Sequence, residues 1–412
     1  METTIGDQGL NHNDTLARNR RLLLNAIREN APVSRVELSR LCSLSIATTK
    51  RLVDDLISQG LVSEGGALDS RGRGRKASGL GLNPAHGCSI GVDIEPGLMR
   101  VTAISFDGAV VYDRALAPET GDRARLQETI FAETQRAVDE CVTRGARPLM
   151  GVGIGIAGLV SSRDGVILYC PGLPGWENVD LGSLISERFA APVVIDDGVR
   201  CMALAEKRYG ANRDLDTFLF IYIGQGVGAG IVLDNRMYRG KNGIAGEFGH
   251  ITVKENGPLC TCGNRGCLEA TVSNSAILAS VRALLAADVY STLRDSDSHD
   301  DPLSLEKIRA AAEQGDKLAN MVMADTEEFV GIGIADLINI FDPGTVILSG
   351  EVVEKLGDSL IEGVQRIVRR RALHAISQRT TIMESGLGAN AASLGAATQI
   401  IERYLDNGFL NL

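Results

Sequence analysis

The chain has 412 residues, too many for one ordinary core, so two to four domains are expected. Its 44% hydrophobic and 23% charged residues are the balance of a folded chain, and 4% aromatics leave little for a base-stacking surface on single-stranded nucleic acid. A net charge of −10 argues against an all-over nucleic-acid coat. No apolar run reaches the roughly 18 residues that span a bilayer; the longest, around Met150 to Val160, is interrupted by glycine. The N-terminal METTIGDQGLNHNDT has neither a basic nor an apolar signal region, so a cytoplasmic protein away from membranes is expected. In that setting eight cysteines read as reduced thiols or metal ligands, not as a disulfide framework.

Charge is unevenly placed. Residues 14–80 carry twelve Lys/Arg against seven Asp/Glu, whereas the chain after Leu80 has a net charge of −13. A basic head on an acidic body points to a nucleic-acid module fused to something else. Thr15 to Glu29 sets Leu16, Leu23, Leu24 and Ile27 on one helical face. Ala31-Pro32-Val33 ends it, and Ser34 with Glu37 forms a capping-box pattern for a short helix, Arg35 to Cys42. Ser43-Leu44-Ser45 makes a turn into a third helix, Ile46 to about Gln59, with Leu52, Val53, Leu56 and Ile57 buried. Gly60 then ends the helix and Leu61-Val62 starts a strand.

Helix, turn, helix, glycine, strand, loop, strand is the order of a winged helix-turn-helix, here residues 14–80 after a flexible 1–13. Ser45, Ile46, Ala47, Thr48, Lys50 and Arg51 form the first turns of the helix that would face base edges and phosphates in the major groove. In the wing, Arg71, Arg73, Arg75 and Lys76 alternate with glycine or follow it, a strip thin and cationic enough for a minor groove. The alternative is a three-helix interaction domain with a solvated basic loop.

After Asn83-Pro84 short apolar strands alternate with helices, giving an α/β body with enough sheet for two lobes. Expected strands are Ser89–Ile94, Arg100–Phe106, Met150–Val160, Pro192–Ile195, Phe218–Ile223, Gly230–Leu233 and Val346–Leu348. Expected helices are Thr129–Cys141, Arg200–Tyr209, Ala276–Ala287, Leu305–Glu313 and Lys317–Asn339. Alternating glycine in Met150–Val160 signals a strand against which another backbone packs closely. The glycine runs 224–230 and 385–390 fit either tight packing or backbone N–H groups held for anions or sugar hydroxyls.

The sharpest constellation is His250 with Cys260, Cys262 and Cys267. Three thiols within eight residues and one imidazole make a closed tetrahedral set for a structural zinc ion, with Gly263 and Gly266 letting the loop fold until the sulfurs converge. Three reduced, buried cysteines are the alternative. Cys42, Cys88, Cys141, Cys170 and Cys201 are scattered and read as inert core thiols.

The run Gly246-Glu247-Phe248-Gly249-His250, followed by Cys-x-Cys-Gly-x-x-Gly-Cys-Leu-Glu269, resembles the zinc-bearing signature of the ROK family of repressors, open reading frames and sugar kinases. With the winged helix in front, the chain resembles a ROK-type repressor of sugar metabolism from about Asp14 to its C-terminus. The resemblance implies an actin/hexokinase-like, ribonuclease H-like body, with lobe one at 81–195 completed by a helix at about 393–412 and lobe two, bearing the zinc loop, at 196–392. It implies a homodimer or homotetramer, operator DNA as partner, and a sugar or sugar phosphate as effector. It also assigns Glu247, His250 and Glu269 as sugar-hydroxyl partners, and Asn178 in the loop Pro174–Asn178 as a further contact.

A kinase of this family needs two further features, and both are altered. Its first phosphate loop reads Asp-x-Gly-Gly-Thr, where this chain has Asp93-Ile94-Glu95-Pro96-Gly97, with a carboxylate and a proline that lacks an N–H donor. The family's base is the Asp of an Asn-Asp pair eight residues before a helical Glu; counting back from Glu206 reaches Gly198, with Asp197 at the Asn position. The expectation is a non-enzymatic regulator in which Asp197 hydrogen-bonds a ligand. A sugar kinase for a hexose or N-acetylhexosamine, with an accessory DNA-binding head, is the alternative; a body that has lost its ligand and binds a protein partner is a third.

Overall fold

A computed structural model describes residues 12–67, 78–146, 148–296 and 302–406. The head is built by α1 (His12–Asn30), α2 (Arg35–Leu41) and α3 (Ile46–Ser58). Ser34 and Ser45 start the second and third helices: their Oγ atoms accept from the N–H groups of Glu37 and Thr48, each at 3.1 Å, satisfying donors the helix leaves open. Leu23, Leu24, Ile27, Leu38, Leu52, Val53 and Leu56 meet in a core that is continuous with buried residues of the body such as Phe106, Ile401 and Leu405. Gly60, at φ +72°, turns the chain into β1 (Val62–Ala67), which pairs antiparallel with β2 (Ser78–Leu82). The wing residues Arg71, Arg73, Arg75 and Lys76 lie outside the described residues.

The first sheet of the body contains β3 (Cys88–Glu95), β4 (Leu98–Ser105), β5 (Val110–Leu116), β6 (Leu149–Ile156) and, after a hairpin of β7 (Leu159–Ser161) and β8 (Val166–Tyr169), β9 (Val193–Asp197). Its helices are α4 (Arg123–Thr143) and α5 (Leu181–Phe189). From β9 the chain crosses on α6 (Gly198–Tyr209) to the second sheet, which opens with β10 (Phe218–Ile223), β11 (Val227–Leu233) and β12 (Arg236–Met237). There follow α7 (Glu269–Val272), α8 (Asn274–Ala286), α9 (Leu305–Glu313), α10 (Lys317–Phe341), β13 (Thr345–Ser349), α11 (Glu351–Leu356), α12 (Asp358–Arg371), α13 (His374–Ser377) and β14 (Thr381–Glu384). Finally α14 (Ala391–Asp406) returns to the first sheet.

The sheets run β5-β4-β3-β6-β9 and β12-β11-β10-β13-β14. In each, three antiparallel strands are followed by two parallel ones added at the side of the first strand, so the lobes repeat one topology. Helix α14 packs on β3 and β6, α6 packs on β10 and β11, and the two helices pack on each other. Glycine makes that approach possible: a Cβ on Gly91 would overlap the Ser393 carbonyl, one on Gly153 that of Ala396, and one on Gly395 that of Cys201. Gly153 of β6 therefore serves backbone-to-backbone packing, and Gly230 makes room for the Ala203 Cβ of α6.

Some elements depart from the expected bounds. The strand expected over Met150–Val160 stops at Ile156, where Ala157 N–H bonds to Ile94 O at 3.1 Å and the chain folds into the β7–β8 hairpin. Helix α4 begins six residues before Thr129 because Asp122 caps it, accepting from Ala124 and Arg125 N–H groups. Among the described residues, no helix is long and apolar enough to cross a membrane.

Candidate functional site

The cysteine loop follows from two glycines with positive φ. Gly263 sits at +91° and Gly266 at +71°, where a Cβ on Gly266 would overlap the Lys254 carbonyl, so only a residue without a side chain fits. Bridges Leu259–Arg265 and Thr252–Cys267 close the loop back on the segment after His250. The ligand atoms of His250, Cys260, Cys262 and Cys267 lie within 4.8 Å of one another. Cys260 Sγ is 3.6 Å from His250 Nδ1, and Cys262 Sγ is 3.7 Å from Cys267 Sγ. A tetrahedral zinc ion with bonds of about 2.3 Å to sulfur and about 2.0 Å to nitrogen needs edges of about 3.8 and about 3.6 Å, so the donor set fits that ion.

The same loop positions the expected sugar partners. Gly246, at φ +106°, and Gly249 press against the carbonyls of Ala229 and Val227 on β11, and Phe248 between them is buried. Glu247 and His250, three residues apart, then share one side, with His250 Nε2 3.9 Å from Glu247 Oε2. His250 therefore turns one ring nitrogen to the thiols and the other to Glu247. Glu269, two residues past Cys267, accepts from Val227 N–H at 3.1 Å. Burial raises the Glu247 carboxyl above its ordinary range against the pull of His250 and Arg200, and Glu269 adds to the rise. Asn178 stands apart: it is exposed on the loop between β8 and α5 at φ +57°, and no hydrogen bond described here joins it to this cluster.

In the first sheet, β9 delivers Asp196 and Asp197 to the start of α6. Asp197 caps the helix, its Oδ1 accepting from Val199 N–H at 2.9 Å and Arg200 N–H at 3.1 Å. Burial pushes its pKa up to about 6, with neighbouring Asp196 and Glu247 adding to the rise against Arg200. Gly198 carries no carboxylate at the next position. Asp196 is fully enclosed and accepts from Arg200 Nε at 2.6 Å, Arg239 Nη2 at 2.9 Å, Ser162 Oγ at 3.0 Å and Gln399 Nε2 at 3.1 Å. Burial alone would raise its pKa, but the two guanidiniums hold it below the ordinary range. Asp196 thus ties α6, α14 and the segment after β12 together.

The turn Glu95-Pro96-Gly97 is a tight hairpin between β3 and β4, with Glu95 paired to Leu98 and Gly97 at φ +79°. Pro96 abuts Gly172, where a Cβ would overlap the proline ring. Burial raises the Glu95 carboxyl, with Glu351 at the start of α11 adding to it. Asp93 is only 4% exposed, its Oδ1 has no hydrogen-bond partner, and burial with Glu95 and Asp197 nearby holds it well above the ordinary range.

On the head, Ser45, Ile46, Ala47, Lys50 and Arg51 are exposed along the first turns of α3, and the half-buried Thr48 shares a hydroxyl hydrogen bond with Ser45 Oγ at 2.9 Å. The acids on this helix are neutralised from behind, Asp54 by Arg35 and Asp55 by Arg20. At the opposite side of the head, α1 meets the body: Glu402 of α14 receives Arg28 at 3.3 Å and Arg208 of α6 at 2.5 Å, and Arg208 also lies 3.5 Å from Glu29.

Residues 89–403 match the ROK family, and residues 16–63 match the winged helix-turn-helix DNA-binding family. The chain belongs to the ROK family. A putative xylose repressor of Caldicellulosiruptor sp. is 33% identical over 388 residues, covering 94% of this chain and 96% of that protein. The crystal structure of a ROK family transcriptional regulator, a homologue of the E. coli MLC protein, superposes with a TM-score of 0.81 at 30% identity over 96% of this chain and 98% of that one. A ROK hexokinase from Thermus thermophilus superposes with a TM-score of 0.65 at 28% identity over 77% of this chain and 99% of its own. The ROK body therefore has the sugar-kinase fold, joined to a winged head of the kind found in its regulators. Within this ROK chain, sequence reasoning passed over Glu351, Arg239 and Glu402, which come to the cleft or the head junction from remote segments. Only the Asp196–Arg200 pair, at helical i,i+4 spacing, left a local signal.

Proposed function

We propose that this ROK protein is a sugar-responsive transcriptional repressor whose kinase-like cleft binds without transferring phosphate. The observation that carries the reading is helix α6. It bears Asp197 at its cleft end and Arg208 at the head, so one rigid element about 18 Å long joins the two sites. A sugar held between Asp197, Glu247, His250 and Glu269, with Asn178 brought in from the first lobe, draws the lobes together. Closure shifts α6 against α1 and changes the spacing of paired heads in a homodimer or homotetramer. Half-sites one or more helical turns apart tolerate little such change. The control is then the difference in sugar affinity between DNA-competent and incompetent forms.

His250, Cys260, Cys262 and Cys267 would hold zinc as a structural cross-link that fixes His250 and Glu269 at the cleft. With four protein ligands, no position is left for a reacting water. The division of labour is a head at 14–80, a first lobe at 81–195 with the C-terminal helix, and a second lobe at 196–392. The head reads operator DNA with Ser45, Ile46, Ala47, Thr48, Lys50 and Arg51 in the major groove, and with Arg71, Arg73, Arg75 and Lys76 on the wing.

The kinase reading has one observation in its favour: an Asp197 carboxyl at about 6 suits a general base. Against it, Asp197 is committed to capping α6, Gly198 has no carboxylate, and the Glu95-Pro96 turn offers charge where phosphate needs donors. The test is fluorescence anisotropy with the upstream DNA of the protein's own gene, with and without D-xylose, beside an ATP-consumption assay over pentoses, hexoses and N-acetylhexosamines. Nanomolar DNA binding that a sugar weakens at least tenfold, with no ATP turnover, is expected. Robust sugar phosphorylation without DNA binding would overturn it.

A further inference from the structure

We infer that the effector of this cleft is an unphosphorylated sugar, and that Glu95 is the residue that turns phosphate esters away. The inference rests on the sugar-responsive reading and names the ligand class for the same site. Three carboxyl groups come from strands of the first sheet, Asp93 and Glu95 of β3 and Asp197 at the end of β9, and three from segments beyond it, Glu247, Glu269 and Glu351. Against these six stand two guanidiniums, Arg200 and Arg239, and both are spent on the enclosed Asp196. Arg100, across the strand pair from Asp93, is turned to Asp113 at 2.7 Å. His250 turns Nδ1 to the thiol of Cys260.

Carboxyl groups thus outnumber uncommitted cations in this lining, and the amide donors Asn274 Nδ2 and Gln225 Nε2 are already given to Glu351 at 2.7 and 3.4 Å. A neutral sugar is the complement of such a wall, since every hydroxyl carries a proton to give to a carboxylate. A phosphate ester is the opposite. At neutral pH its group is anionic and mainly accepts hydrogen bonds, so it needs N–H donors or cations. Two backbone positions beside these carboxyls offer no free donor: Pro96 has no N–H, and Val227 N–H is given to Glu269. Gly228 and Gly230 of the neighbouring glycine run pack against Val199 and Ala203 on α6 instead of opening a cradle. The buried Asp93 Oδ1 without a partner marks the same excess of acceptors.

The experiment is isothermal titration calorimetry on the full zinc-loaded chain with D-xylose, D-glucose and glucose 6-phosphate, repeated with Glu95→Gln and Asp93→Asn. Glu95→Gln keeps the size of the side chain and removes its charge. At least one neutral sugar should bind, with the ester a hundredfold or more weaker than glucose. The ratio of glucose to ester affinity should fall at least tenfold in Glu95→Gln and less in Asp93→Asn. An ester that binds the wild type as tightly as glucose or more tightly overturns this inference alone, and so does a ratio that neither variant moves. If neither sugar nor ester binds, the sugar-responsive reading falls and takes the inference with it.

Discussion

His250 shows how much one residue is asked to do. Its Nδ1 lies 3.6 Å from Cys260 Sγ, and its Nε2 faces Glu247 in the cleft. In the proposed site the imidazole connects the four-residue metal cluster to the sugar-binding carboxylates, and disturbing the sulfurs should be felt by the sugar. Cys262 is the probe of choice, because it is the exposed member of the set while Cys260 and Cys267 are buried. Cys262→Ser should drop the zinc content from about one per chain to well below half by atomic absorption. Sugar affinity should fall on the order of tenfold to a hundredfold, as is typical when groups supporting a site are lost. Full sugar affinity in a metal-free variant would show that Glu269 is held by its bond to Val227 and the helix behind it, not by the thiols.

At the scale of elements, the head was legible in the sequence because its signals are local. Ser34 and Ser45 as caps, Gly60 as terminator and the Leu52, Val53, Leu56 stripe each act within a few residues, and all appear in the structure. The zinc loop was legible for the same reason. Helix α12 and strand β14 were not anticipated, since α12 carries a narrow apolar stripe among many charges and β14 is four residues long. The cleft was half legible: Glu247, His250 and Glu269 lie in one contiguous motif, but Glu351 comes from a segment about 80 residues further on and meets Glu95 only through the fold. For the wing, two guanidiniums held to DNA phosphates would each release about 0.9 counterion. Arg73→Ala with Arg75→Ala should then lower operator affinity and flatten the slope of log affinity against log salt by about 1–2, measured by anisotropy between 50 and 200 mM salt. An unchanged slope would mean that the wing does not touch the duplex.

The whole molecule works only if the head feels the cleft. The junction combines an apolar seam with a charged spot: Leu23, Leu24 and Ile27 share one buried cluster with Ile401 and Leu405 of α14, and Glu402 is the shared anion between Arg28 of the head and Arg208 of α6, with its carboxylate and the Arg28 guanidinium largely enclosed. Burial lowers the Arg28 pKa and proximity to Arg208 adds to that, while Glu402 opposes both. Removing the anion would leave two enclosed guanidiniums facing each other, at a cost on the order of 2 kcal/mol to the seating of the head once partial exposure is allowed for. The cleft is untouched by such a change, because Asp197 lies at the other end of α6. Glu402→Gln should therefore bind sugar with wild-type affinity, measured by calorimetry, while sugar weakens its DNA binding less than threefold. In the wild type the corresponding factor should fall within the roughly 5–150-fold usual for coupled sites, and linkage requires that operator DNA weaken sugar binding by that same factor. A Glu402→Gln protein that keeps the full factor routes its signal elsewhere than through α6.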